Sequence, residues 1–104
     1  MKISAGLTAT IEVQHDDRSR VTGVLHFATV TALLQRGTEA IGAGHAAVMD
    51  LAGVSDSDSA GLALLIEWLS IAKAAGRSLR YENIPAQLLQ LARLSEVEEL
   101  LTAG

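Results

Sequence analysis

Cysteine is absent from this 104-residue sequence, which excludes disulfide staples and thiolate metal sites and suits a reducing compartment. Lysine and arginine number 8 against 12 aspartates and glutamates, a formal charge of −4, and they never gather into a block. Nucleic acid or anionic lipid needs such a block as its electrostatic footprint, so no direct nucleic-acid binding is expected. Long apolar runs are missing too. No window approaches the roughly 18 uninterrupted apolar residues of a membrane span, and Met1 to Leu7 lacks the apolar core of a signal peptide. The expectation is a cytoplasmic protein without direct membrane insertion, held at a membrane, if at all, through a partner.

What is present is a 49% apolar composition, enough for one modest core and hence a single domain over residues 1–104. Leu7, Ala9, Ile11 and Val13 alternate with Thr8, Thr10 and Glu12, the period of a half-buried strand. Asp16 to Ser19 reads as a polar turn and Val21 to Leu25 as the second strand of a hairpin, in which Gly23 marks a bulge or merely a small side chain. Phe27, Val30, Leu34 and Ile41 recur at helical spacing, with Thr29 or Thr31 as cap and Gly42 and Gly44 to end the helix. Ala46 to Leu51 is almost wholly apolar, as befits a central strand covered on both faces. Ala52 to Ala60 carries Gly, Ser and Asp, which is turn chemistry, and a long helix is expected over 61–75. Leu79 to Tyr81 gives a last strand, Pro85 opens a third helix, and Leu88 to Leu101 carries one broken or two short helices. Strands followed by helices imply a mixed α/β sheet of four strands, with helices packed mainly on one face.

The stretch from Asp50-Leu51-Ala52 through Asp58-Ser59-Ala60-Gly61-Leu62 to Leu65 resembles the signature of STAS domains, in which a strand leads through a loop to an Asp-Ser motif at a helix start. The continuation Leu62 to Trp68 and the later Asn83-Ile84-Pro85-Ala86-Gln87-Leu88 are similar to the MlaB branch, STAS subunits of Mla-type ABC transporters of phospholipid. The resemblance implies the SpoIIAA-like fold, no enzymatic activity and no cofactor. It also implies an ABC transporter ATPase subunit as partner at the inner face of the inner membrane, in support of outer-membrane lipid asymmetry. The other branch, the anti-sigma factor antagonists, implies an anti-sigma factor kinase as partner and phosphorylation at Ser59. In that branch the motif Asp usually follows a bulky apolar residue and the Ser precedes Ser or Thr, whereas this chain has Ser57 and Ala60.

The residues of the motif have their own chemistry. Ser59 or Asp58 can cap the helix by accepting from a free backbone N–H. A phosphate on Ser59 would meet the favourable end of the helix dipole but also Asp56 and Asp58. Gly61 suits either a close backbone approach by a partner or plain punctuation at a helix start. Along the helix, Leu62, Leu65, Ile66, Leu69 and Ala72 form one apolar stripe, and Leu64, Trp68, Ile71 and Ala75 form a second, more than one core face needs. Burial on two sides would explain both. A partner would explain the second, and Trp68, the only Trp, is the type of residue that anchors interfaces. The expected contact is therefore Asp58, Ser59, Ala60, Gly61, Leu64, Trp68 and Ile71, with loss of Trp68 costing about 2 kcal/mol of binding. His15, His26 and His45 and the five Asp residues from Asp16 to Asp58 match no metal-binding or catalytic spacing, and neither a strained serine elbow nor a phosphate-binding loop occurs.

Overall fold

The computed structural model describes residues 8–102, so Leu7, expected to open the first strand, lies outside them. Strand β1 (Ala9–His15) pairs antiparallel with β2 (Arg18–Leu25) across a turn in which Asp16 has φ +50, a left-handed conformation that a short acidic side chain tolerates. Gly23 sits at φ +101, where a Cβ would collide with the Thr8 carbonyl, and the pairing of β2 with the next strand slips between Gly23 and Val24. The glycine therefore marks an irregularity that a side chain could not occupy.

Strand β3 (Val48–Ser57) runs parallel to β2, and the short β4 (Arg80–Glu82) runs parallel to β3, giving the mixed order β1-β2-β3-β4. The expected turn from Ala52 is instead the second half of β3. Its polar Ser55 and Asp56 remain in the ladder because they are exposed, while Gly53 makes room for the Thr22 methyl on β2. Turn-forming residue types are here overridden by pairing with a distant strand.

Helices α1 (Val30–Gly42), α2 (Ser59–Ala74), α3 (Ala86–Leu94) and α4 (Glu98–Thr102) complete the chain. Val21, Leu25, Met49 and Leu51 turn from the sheet into a core shared with Leu33, Ile41, Leu65, Trp68 and Leu88. On the opposite sheet face, alternation places Thr10 against Thr22, hydroxyls 2.8 Å apart, and Arg20 beside Asp50. The helices cover the apolar face and leave the polar one bare.

Candidate protein-docking site

The end of the sheet where β2 and β3 finish holds the motif. Asp58 N–H donates to the Leu25 carbonyl at 3.1 Å, so the chain enters α2 while still tied to β2. The Asp58 carboxylate accepts from Ala60 N–H at 2.8 Å and is the N-cap. Of the two residues able to cap this helix, Asp58 does so, and Ser59 is the first helical residue, with its side chain exposed.

Beneath that turn the packing is tight. Ser57 is buried, its hydroxyl donates to the Asp58 carbonyl, and its N–H donates to Gln87 Oε1 from α3 at 3.2 Å. A Cβ on Gly61 would collide with the Ser57 hydroxyl and come within 2.9 Å of Leu25 Cβ. Gly61 is thus a seat for α2 on its own sheet, facing inward, and is not available to a partner as expected. Beside it, Asp56 Oδ2 lies 3.0 Å from His26 Nε2. The Ser57 N–H, with help from Gln87 and His26, holds the Asp56 carboxyl below the usual carboxylate range despite some desolvation.

The turn between β2 and α1 is bolted by Thr29, which donates to the Val24 carbonyl at 2.6 Å and accepts from His26 N–H at 3.1 Å. This rigid turn carries Phe27, which is 83% exposed although its spacing suggested the apolar face of a helix. The helix begins only at Val30, so Phe27 falls outside its register.

Trp68 is fully buried, Leu65 likewise, and Leu64 is 4% exposed. The indole lies on Gly37 of α1 and donates to the Leu34 carbonyl at 3.3 Å. Leu64 and Trp68 of the second stripe are therefore covered from within, as are Leu62, Leu65 and Ala72 of the first, which corrects the expectation that Leu64 and Trp68 form an interface. Ala75, at the end of the second stripe, is exposed. Ile71 is half-buried, as is Ala60, and the solvent line of α2 is Ser59, Ala63, Glu67, Ser70 and Ala74.

Two openings flank the start of α2. A groove of about 210 Å³ between α1 and α2 is lined by Val30, Thr31, Leu34, Ala60, Ala63 and Leu64. A second hollow of about 410 Å³ between α2 and α3 is bounded by Asp58, Ser59, Gln87, Gln90, Leu91 and Leu94. Leu94 is 82% exposed. Sequence reasoning gave Phe27 to the apolar face of a helix and did not mention Leu94, so neither was expected at the docking surface. Asp58, Ser59 and Ala60 are brought together at this rim, whereas Gly61, Leu64 and Trp68 lie under it. No group of three His, Asp or Glu side chains converges as metal ligands among the described residues. None of the described helices is long and apolar enough to cross a membrane.

Comparison with known proteins yields a match of residues 11–102 to the family described as "Mlab, STAS domain". No curated protein matches the chain. Among solved structures, the anti-sigma factor antagonist SpoIIAA in its unphosphorylated form is similar at 15% identity with a TM-score of 0.64, over 84% of this chain and 83% of that one. The Bacillus cell fate determinant SpoIIAA in the phosphorylated form is similar at 16% identity and a TM-score of 0.65, over 86% and 85%. The murine anion transporter Slc26a9 is similar at 23% identity and a TM-score of 0.61, over 78% of this chain but only 14% of that one. At these identities the structural likeness establishes the fold.

Proposed function

Because the chain belongs to the MlaB-type STAS domain family, we propose that it is a non-enzymatic subunit that docks on the cytoplasmic ATPase of an Mla-type ABC transporter through the rim at the start of α2. In this role it stabilises or regulates the assembled ATPase, supports phospholipid transport and outer-membrane lipid asymmetry, and resides at the inner face of the inner membrane through its partner. One observation carries the docking reading: Leu94, 82% exposed, lines the same hollow as the exposed Ser59, and Phe27, 83% exposed, stands on the turn that leads into α1, whose first residue Val30 lines the neighbouring groove. Large apolar side chains held in water on fixed backbone are what a partner desolvates for gain. The polar groups at the rim support binding over chemistry, since Asp58 caps the helix and Asp56 is engaged by His26.

A second reading draws on the exposure of Ser59. A phosphate there would sit at the positive end of α2 yet close to Asp56 and Asp58, and its bulk would evict a closely packed partner. This is the mode of an anti-sigma factor antagonist released from its kinase.

Co-purification with the ATPase tests the proposal, comparing the native protein with Ser59→Ala and Ser59→Glu. The native and alanine forms are expected to co-elute with the ATPase and the glutamate form to lose at least about tenfold in affinity, the scale of a disrupted hot spot. Full retention by Ser59→Glu would remove Ser59 from the contact. Recovery of a kinase that modifies Ser59, with no ATPase bound, would replace the transporter assignment by the switch.

A further inference from the structure

The two edges of the sheet are built differently. β4 is only three residues long and two of them, Arg80 and Glu82, are charged, which is how natural sheets blunt an edge against further pairing. β1 is seven residues long, includes the strand-formers Thr10, Ile11 and Val13, and has no Lys or Pro and one carboxylate, Glu12. Among the described residues no strand pairs with its outer side. The hydrogen bond from Val24 N–H to the Thr8 carbonyl, at 2.9 Å, fixes which groups point outward. Thr8, Thr10 and Glu12 bond inward to β2, so the N–H and C=O groups of Ala9, Ile11 and Val13 face away from the sheet. The irregularity in β1 falls after Val13, which leaves residues 9–13 as a regular template.

A hollow of about 330 Å³ lies between this edge and α1, with Ile11, Val13, Ala40 and Ala43 supplying apolar surface and Arg36 and Glu39 the charge. Both charged residues are exposed, and neither joins an ion pair among the described residues. They stand three residues apart on one face of α1 and have opposite sign. A surface that offers a free strand edge, apolar side chains and one charge of each sign is complementary to itself: a two-fold axis sets each Arg36 against the Glu39 of the other copy. The register follows from charge as well. Placing the axis at Ile11 puts Glu12 opposite Thr10 of the second copy, whereas Ile11 opposite Val13 would set the two Glu12 side chains against each other.

We propose that this edge and hollow form the interface of a homodimer, in which β1 pairs antiparallel with β1 of a second copy and joins two four-stranded sheets into one. None of these residues lines either opening at the start of α2, so the dimer interface and the docking rim use different side chains.

Sedimentation equilibrium and hydrogen exchange on the full chain test this. The mass is expected to rise from monomer to dimer between roughly 10 µM and 1 mM, the range of a modest interface, with the amides of Ala9, Ile11 and Val13 gaining protection in step. Val13→Lys, a charge of the kind that guards natural edges, should weaken association at least about tenfold while the dilute protein keeps its melting curve. Arg36→Glu and Glu39→Arg should each associate about tenfold more weakly, since two attractive pairs become repulsive. An equimolar mixture of those two variants should dimerise again, because every charge then meets its opposite. A monomer at every concentration, a dimer indifferent to Val13→Lys, or charge variants that stay apart when mixed would each overturn the inference. So would full protection of Ala9, Ile11 and Val13 in the dilute monomer, which would mean that the edge is covered within one chain.

Discussion

Asp50, the first residue of the motif, shows how a signature residue can be structural. It is 7% exposed, and one of its oxygens accepts from both Ala52 N–H and Asn83 Nδ2 at 2.9 Å, with Arg20 at 3.6 Å from the other. Asn83 has φ +57, so the carboxylate fixes the turn between β4 and α3 in a left-handed conformation that asparagine accepts. The Asn83 hydrogen bond first, then that from Ala52, keeps the Asp50 carboxyl below the usual range against desolvation. A folded-state value below the unfolded one, about 3.9, means that this stabilisation is complete above roughly pH 4. It is lost as pH falls through the lower folded value. Asp50→Asn should therefore cost about 1–3 kcal/mol near neutrality, the penalty for disturbing a buried charged hydrogen-bond acceptor. Its stability should also fall less steeply than the native protein's below pH 4. Denaturant melts across pH measure both, and parallel acid limbs would show that Asp50 is not the group responsible.

Between elements, the decisive contact is α1 on α2. Trp68 reaches the core only because Gly37 presents bare backbone to the indole. Trp68→Ala is expected to cost about 3–5 kcal/mol of folding stability, the usual effect of emptying an aromatic site. Gly37→Ala should cost about 1–3 kcal/mol through overpacking. Because the alanine methyl would enter space that the indole occupies, the double variant should be less destabilised than the sum of the two. Urea melts of the four forms give the coupling, and strict additivity would contradict direct contact. The same pair shows why part of the site was illegible. The order of strands and helices, the α2 span and the motif could be read from periodicity and from Asp50 to Leu65, because those signals are local. Which side of α2 is covered depends on a glycine 31 residues upstream, and no local pattern reports it. The extra length of β3 was hidden for a similar reason: Gly53, Ser55 and Asp56 read as a turn until β2 supplies the partner strand. Asp58 and Ser59 were both visible as caps, but only the geometry chooses between them.

At the scale of the whole molecule, exposed apolar groups are distributed unevenly, and that asymmetry is what a partner can detect. One sheet face is polar, with Arg18 paired to Glu82 and Thr10 to Thr22. Val13 and Leu100 are only about half exposed, at 51% and 53%. Phe27 and Leu94 are the two most exposed large apolar residues among those described, and a monomer gains nothing from holding them in water. Replacing either by Ser should leave folding stability within about 0.5 kcal/mol, as at ordinary surface positions. Each replacement should weaken binding to the ATPase by about tenfold, an interface contribution of more than 1 kcal/mol. Val13→Ser and Leu100→Ser provide the contrast, with affinity unchanged. Calorimetric titration of the four variants, with thermal melts of each, separates binding from folding. A uniform loss across all four would mean that partners respond to general surface apolarity and that the rim of α2 has no special part in docking.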